Sequence, residues 1–420
     1  MATLVMKFGG TSVADPDRIR RAARRVAESR ADGHRVAVVV SAMGHTTDHL
    51  IALAGQVSRT PGRRELDALM STGEAVSAAL AAMALEDQGL PARSLNAFQA
   101  GMRTDGAHGR AKLQSIDAKM LERLLDEGVT PVITGFQGFS PEGLLTTLGR
   151  GGSDTTAVAV AAALRVQERG GCCEIYTDVD GVHTADPRLV PEAPKLGAIT
   201  YDEMLELAAM GAGVMHARAV VFGQRHNVPI HVRHSQRPEP GTMIQRETSR
   251  MESIAVIGCA LKSDLGRVQL QGLPRAAGVQ AQVFSAISAR GILVDDIIQT
   301  EGPAGVELAF TVEHGELPEV KMAVTEAIEQ LGSGRIDLEV GLAKVSAVGT
   351  GMRSHAGVAT RMFHALGAAG IPIRNITTSE IRISCLVPQE HGERSLRLVH
   401  EAFGLERGER VTLAEQLGTA

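Results

Sequence analysis

The sequence predicts an α/β chain in two parts: a three-layer αβα domain with a mainly parallel sheet, then two tandem α+β modules of ferredoxin-like form. Three observations carry this reading. Short continuous apolar runs alternate with helical stripes over about 235 residues, as expected of strands buried on both faces by crossover helices. A polar stretch with Pro238, Pro240 and Gly241 then interrupts the pattern. Beyond it the chain repeats itself. Ala277, Gly278, Val279, Phe284, Ala286, Gly291, Ile292 and Ile297 recur as Ala356, Gly357, Val358, Phe363, Ala365, Gly370, Ile371 and Ile376, an offset of 79 residues. The expected boundaries are 1–234 for the large domain, 235–250 for a linker, 251–335 for the first module and 336–420 for the second.

The first elements follow from local chemistry. Leu4-Val5-Met6 is a short buried strand that ends in Lys7-Phe-Gly-Gly-Thr-Ser-Val13. Asp15 as N-cap and Pro16 at the first helical position open a helix to about Arg30, which Gly33 closes. Ile19, Ala22, Ala23, Val26 and Ala27 form its apolar stripe, while Arg18, Arg20, Arg21, Arg24 and Arg25 make a solvated face. Arg35–Val40 is the next strand, running into Ser41-Ala-Met-Gly44, and Thr46 and Thr47 start another helix. Arg63–Gln88 is a long Ala- and Leu-rich helix containing Ser71-Thr-Gly-Glu74. A glycine inside a helix costs about 1 kcal/mol relative to alanine. Gly73 therefore marks the close approach of something, substrate included, unless it is only a tolerated glycine beside an exposed Glu74.

Later elements continue the alternation. Arg93–Phe98 and Thr130–Thr134 read as strands, with a helix from Asp117 to Glu127 between them, and 135–148 reads as a Gly-rich hairpin. Gly149-Arg-Gly-Gly-Ser-Asp154 precedes a helix over Thr155–Val166, where Asp154 has the ordinary alternative of an N-cap. Glu174–Thr177 is a strand that ends in Asp178-Val-Asp-Gly-Val182, followed by Asp186-Pro-Arg188. Helices from Tyr201 and over Met215–His226, then a strand Ile230–Arg233, complete the large domain.

Composition narrows the function. Net charge is −5, with 44% hydrophobic and 22% charged residues, no Trp and two Tyr. That balance supports neither a nucleic-acid nor a membrane partner. Cys172, Cys173, Cys259 and Cys385 show no CxxC spacing, so free thiols in a reducing cytoplasm are expected, and the N-terminal residues lack a signal-peptide layout. No metal site is assigned, although the acidic turns at Asp178–Val182 and Asp186 leave a metal, a ribose or nothing open. What does stand out is a pair of strand–glycine turn–helix junctions, at Lys7–Val13 and Gly149–Asp154. Bare amides at a helix N-terminus bind anions. Lys7 adds a cation to the first junction. Arg150, flanked by glycines, suits bidentate capture of a carboxylate or phosphate at the second. In open α/β sheets, ligands bind beyond the carboxyl ends of the strands.

Five ordered motifs in the large domain, Lys7–Val13, Val40-Ser-Ala-Met-Gly44 with Thr46-Thr-Asp48, Ser71–Glu74, Gly149–Asp154 and Tyr176–Gly181 with Asp186–Arg188, together with Thr377-Thr-Ser-Glu-Ile381 in the tail, resemble an aspartate kinase of the amino-acid kinase family with two ACT regulatory modules. The resemblance spans essentially the whole chain. It implies transfer of phosphate from ATP, with Mg²⁺, to the side-chain carboxylate of L-aspartate, giving 4-phospho-L-aspartate. That reaction opens lysine, threonine and methionine synthesis and is regulated by an end-product amino acid. It further implies catalytic roles for Lys7, Arg150 and Asp154. ATP would meet Lys7, Phe8, Gly9, Gly10, Ser41, Thr177, Asp178, Asp180, Gly181, Val182 and Arg188. Aspartate would meet Thr47, Glu74, Arg150, Gly151, Gly152 and Ser153. An effector, threonine and/or lysine, would meet Gly278, Asp295, Gln299, Ser379 and Glu380, and the ACT modules would pair two chains in a homo-oligomer.

The residues suit that chemistry. An aspartate carboxylate is already ionised at neutral pH and needs no general base. The barrier is electrostatic, so positioning and cationic stabilisation of the phosphoryl group suffice. The chain departs from the family in three places. Gly213 stands where a nucleotide-contacting lysine is common, with Arg218 the expected substitute; Arg275-Ala-Ala-Gly278 replaces an Asp-x-Pro-Gly turn; and Leu293 replaces an asparagine. Two other readings remain: an amino-acid kinase for another acceptor (glutamate, N-acetylglutamate or UMP), and a non-catalytic amino-acid sensor that kept the fold.

Overall fold

The computed structural model describes residues 1–149, 151–210, 214–248, 255–355, 357–410 and 416. By contacts the chain forms two compact units: Thr184–Pro194 belongs with the C-terminal part, and the rest of the chain up to 248 belongs to the first unit, apart from Met210.

The first unit runs β1 (Thr3–Phe8), α1 (Pro16–Ala31), β2 (Arg35–Val40), α2 (Thr46–Val57), α3 (Arg63–Glu86), β3 (Ala92–Leu95), β4 (Met102–Thr104), β5 (Leu113–Ile116), α4 (Lys119–Asp126), β6 (Thr130–Thr134), β7 (Gln137–Phe139), β8 (Leu145–Thr147), α5 (Gly152–Ala163), β9 (Cys173–Thr177), β10 (Ala198–Thr200), α6 (Tyr201–Ala209), α7 (Ala217–His226), β11 (Ile230–His234) and β12 (Thr242–Gln245). Eight of these strands form one sheet in the order β10-β12-β11-β9-β1-β2-β6-β3, parallel except between β11 and β12. Strand β1 is wholly buried and lies between β2 and β9. Its side chains alternate between layers. Met6 and Phe8 enter a core with Ile19, Ala22 and Val26 of α1 and Ala78, Ala81 and Leu85 of α3. Lys7 points to the opposite face, which α5 covers. A second, four-stranded sheet, β5-β4-β7-β8, contains the expected 135–148 hairpin.

Several elements differ from the sequence reading for local reasons. Asp15 caps α1 as expected, accepting from Arg18 N–H. Helix α5 starts at Gly152, three residues before the expected Thr155, because Gly151 takes the N-cap with a left-handed φ of 67°. That moves Asp154 from a capping position into the first turn. The strand expected over Arg93–Phe98 stops at Leu95, where Asn96 and Gln99 close a turn by exchanging side-chain-to-backbone hydrogen bonds of 2.9 and 3.0 Å. The stretch 235–250, read as a linker, contributes β12, because Thr242 and Ile244 are buried and Thr242 Oγ1 donates to Leu196 O at 2.6 Å. Helix α3 is long and apolar enough by composition to cross a membrane, yet it packs on α1, β3, β6 and β8.

In the second unit the repeat reads β13 (Gly258–Leu273), α8 (Val279–Ser288), β14 (Asp295–Gly302), β15 (Gly305–Glu313), α9 (Leu317–Leu331), then β16 (Arg335–Val348), α10 (Val358–Ala368), β17 (Asn375–Thr378), β18 (Arg382–Pro388) and α11 (Gly392–Ala402). The two copies share one antiparallel sheet, β14-β15-β13-β16-β18-β17, because their equivalent first strands pair. Gly278 and Gly357 are equivalent N-caps, with φ of 91° and 103°.

Candidate active site

The site gathers at the carboxyl ends of β1, β2, β6 and β9. Backbone hydrogen bonds lock these ends together: Gly9 N–H to Tyr176 O (3.1 Å), Ser41 N–H to Phe8 O (3.1 Å), Gly44 N–H to Gly10 O (3.0 Å) and Gly135 N–H to Val40 O (2.9 Å). Phe8 stacks on Tyr176 with ring centroids 4.9 Å apart. Glycine is required where these loops touch. A Cβ on Gly10 would lie 3.0 Å from Ala42 O, and one on Gly135 2.7 Å from Ser153 Oγ.

Lys7 Nζ lies 2.6 Å from Asp154 Oδ1, and both side chains are largely buried. The pair joins the glycine turn after β1 to the N-terminus of α5, so the two glycine junctions form one locus. Asp154 thus acts on Lys7 and not as an N-cap. Gly151, Gly152 and Ser153 form the adjoining helix start, and His216 packs so closely on Gly151 that a Cβ there would come within 2.2 Å of its ring. Arg150 lies outside the described residues.

Glu74 is 3% exposed. Its Oε1 accepts from Ala42 N–H at 3.1 Å, while Oε2 has no partner among the described residues. Burial pushes its pKa up to about 7, against the opposing pull of the Ala42 bond. Gly73 has a plain explanation: a Cβ would lie 2.8 Å from Ala42 Cβ, so what approaches is the Ser41–Gly44 loop and not substrate. Thr47 is half-buried in the first turn of α2, beside Thr46, whose hydroxyl donates to Met43 O.

Beyond β9, Thr177 Oγ1 donates to Asp178 Oδ1 at 3.0 Å. Asp180 pairs with His183 at 2.8 Å and Lys195 at 3.7 Å. Burial raises its pKa, but the hydrogen bond to His183 and the Lys195 charge outweigh it and hold the carboxyl below its usual range. Val182 N–H donates to the Thr242 hydroxyl at 2.8 Å, and a Cβ on Gly181 would lie 2.5 Å from that oxygen. Arg188 belongs to the second unit, where it pairs with Asp186. Gly213 lies outside the described residues. Arg218, the expected substitute for the family lysine, instead donates to the carbonyls of Leu148 and Ala111 and braces the Gly149 loop. Among the effector candidates, Gly278 caps α8, Gln299 accepts from Gln280 at 2.7 Å, Asp295 is bound by Lys344 at 2.7 Å, Ser379 N–H donates to Arg382 O, and Glu380 is exposed.

Sequence reasoning missed two supporting networks. Asp67, fully buried, accepts from Thr147 Oγ1 at 2.5 Å and Gly109 N–H at 3.0 Å, with His108 Nδ1 at 2.7 Å, so it ties α3 to the segment before Gly149. A signal existed: Asp67, Ser71, Glu74 and Ser77 fall at helical spacing, a polar stripe on a buried face. Glu174 accepts from Tyr176 and Arg233 at 2.8 and 2.9 Å. Burial favours its neutral form, but hydrogen bonds from His231, Tyr176 and Arg233 and the Arg233 charge bring it down to about 2.

Two glycine turns joined by a lysine–aspartate pair lie on a mainly parallel sheet, and the class of protein is that of the amino acid kinase family, whose model matches residues 2–234. An ACT domain model matches 345–403. The chain is 48% identical over 410 residues to an aspartokinase of Thermus thermophilus, covering 97% of this chain and all of that one. It is 43% identical over 407 residues to aspartokinase 2 of Bacillus subtilis, with 97% and 99% covered. Escherichia coli aspartokinase III, solved with aspartate and ADP, superposes with a TM-score of 0.79 at 27% identity, covering 96% and 99%. The same enzyme with lysine and aspartate gives 0.74. The chain belongs to the aspartokinase family.

Proposed function

We propose that this aspartate kinase binds its two anionic ligands on either side of the Lys7–Asp154 pair. ATP lies along the turns after β1 and β9. Lys7 and the Gly10 amide face the transferring phosphoryl group, the Gly9 amide being already bonded to Tyr176 O. Phe8 and Ser41 line the same turn, and Thr177, Asp178, Asp180, Gly181 and Val182 take the rest of the nucleotide. Aspartate lies along Thr47, Glu74 and Arg150–Ser153. Arg150 takes the α-carboxylate and Glu74 the ammonium. The observation that carries this is the unpartnered, buried Oε2 of Glu74 within the same loop cluster as Lys7.

The substrate carboxylate is ionised at neutral pH, so no residue has to remove a proton. Lys7 stabilises charge as it spreads over the phosphoryl oxygens, and Asp154 holds the Lys7 ammonium in place. The Gly10 amide adds a fixed donor. Among the described residues no three His, Cys, Asp or Glu side chains converge to hold a metal. Mg²⁺ carried on the nucleotide phosphates needs only one or two protein carboxylates. Asp154 is the carboxylate at that end of the site, and the ion would offset phosphate charge.

Regulation is assigned to the repeat: Gly278, Asp295 and Gln299 of the first module and Ser379 and Glu380 of the second meet effector at separate places in one chain, since β14 and β17 are opposite edges of the shared sheet, and the modules pair two chains in the cytoplasm. Lys344 bridges Asp295 and Asp296, and the effector is threonine and/or lysine. A coupled ADP-release assay with ATP, Mg²⁺ and aspartate, with and without threonine and lysine, tests the whole reading. Aspartate-dependent turnover is the expected result. Turnover only with glutamate, N-acetylglutamate or UMP, or none at all, refutes it.

A further inference from the structure

Between Val182 and Leu196 the chain leaves the first unit and returns. Thr184–Pro194 belongs to the second unit, where Ala185, Val190 and Ala193 are buried with Val345, Val358 and Leu396. The two legs of the excursion are paired. Leu196 N–H donates to Val182 O at 2.8 Å, His183 and Lys195 form an antiparallel bridge, and Thr184 N–H donates to Pro194 O at 3.0 Å. A cross-bonded ribbon carries displacement along its length better than two separate strands do.

Both ends of the ribbon are fastened. At the root, Asp180 pairs with His183, and the Thr242 hydroxyl joins Val182 N–H to Leu196 O. At the tip, Thr184 is 2% exposed and bonded on three sides. Its N–H meets Pro194, its carbonyl accepts from Cys259 N–H at 2.7 Å, and its Oγ1 lies 2.8 Å from His400 Nε2. His400, also 2% exposed, sits on α11 of the second repeat, 216 residues along the chain. Burial lowers its pKa, so the imidazole meets Thr184 uncharged. One peptide bond separates Thr184 from His183, and His183 holds Asp180.

We propose that His400 is a positioning residue for nucleotide binding: by holding Thr184 it sets the place of the ribbon whose root is the Asp180–Val182 loop. The proposal rests on the assignment of that loop to ATP. A change of state in the second repeat then reaches the nucleotide loop through the chain itself, as a bias between two positions of the ribbon.

The test uses the full-length protein, with KM for ATP and for aspartate measured separately. Thr184→Val and His400→Asn each raise KM for ATP about five- to tenfold, the scale of one buried hydrogen bond, while KM for aspartate stays within about twofold. The double variant is no worse than either single one, because both remove the same bond. Thr184→Ser, which keeps the hydroxyl, restores the wild-type KM. If His400→Asn fails to fold, Thr184→Val decides. Variants that melt earlier with KM for ATP unchanged make the bond mere packing and overturn the proposal. Asp180→Asn, run in parallel, separates the two levels: a raised KM for ATP there with an unchanged value in Thr184→Val overturns the proposal alone. An unchanged value in Asp180→Asn overturns the nucleotide assignment and the proposal with it.

Discussion

Replacing Glu74 by glutamine removes one charge and almost no volume. The amide oxygen can still accept from Ala42 N–H, so the loop it supports should stand. What is lost is a charge-assisted bond to the aspartate ammonium, worth about 1.5–3 kcal/mol, or roughly 10- to 100-fold in KM for aspartate at 1.4 kcal/mol per tenfold. The pH dependence is the sharper test. With its pKa raised to about 7, Glu74 is protonated in the free protein below that pH. It must ionise to hold an ammonium, so KM for aspartate should rise as pH falls through 7, approaching about tenfold per unit. The glutamine variant should lose that slope. Stability runs the opposite way. A carboxyl whose folded pKa is raised from 4.5 to about 7 contributes fully below 4.5 and loses that contribution as pH rises through 7. The loss is roughly 3 kcal/mol at most, and Glu74→Gln should escape it and melt higher than wild type at pH 8. Initial rates from pH 6 to 8.5 and melting curves without ligand read both effects. A wild-type KM that is flat across that range, or a variant within threefold of wild type at pH 8, would refute the role given to Glu74.

Lys7→Ala should lower kcat by about a thousandfold or more and keep the folded circular-dichroism spectrum, with a modest drop in melting temperature because Asp154 loses its partner; near-normal turnover would sink the phosphoryl role. Gly73→Ala should destabilise by about 1–3 kcal/mol through overpacking against Ala42 and raise KM for aspartate, although alanine is the better helix former; unchanged melting and KM would show that the Ser41–Gly44 loop yields freely. Asp67→Ala strands the donors of Thr147, His108 and Gly109 and should cost about 3 kcal/mol or more, read as an earlier thermal transition and faster proteolysis; equal resistance to both would place the strength of this region elsewhere.

Much of the fold was legible because its signals are local. Asp15-Pro16 starts α1 by satisfying amides within one turn, Gly33 ends it, and the apolar runs at 3–8, 35–40 and 130–134 are too continuous for anything but strands covered on both faces. The repeat was legible because Gly278 and Gly357 hold the same left-handed N-cap, which few other residues tolerate. Element ends were less secure. Asn96 and Gln99 close a turn where the apolar run suggested a longer strand, and Gly151 moves the start of α5 by one turn, which changes Asp154 from a cap to a partner of Lys7.

By itself, then, the sequence determined the residue types available for chemistry, the order of strands and helices, and the duplicated tail. Tertiary structure alone decided that β9 lies beside β1, that Glu74 is buried with one oxygen unpartnered among the described residues, and that Thr184–Pro194 packs with the second unit. The physical reason is range. Caps, turns and periodicity are satisfied within a few residues. The burial and pKa of Glu74 depend on a loop 32 residues back in the chain, and the pairing of Lys7 with Asp154 on atoms more than a hundred residues apart, and no local window of sequence contains both sides.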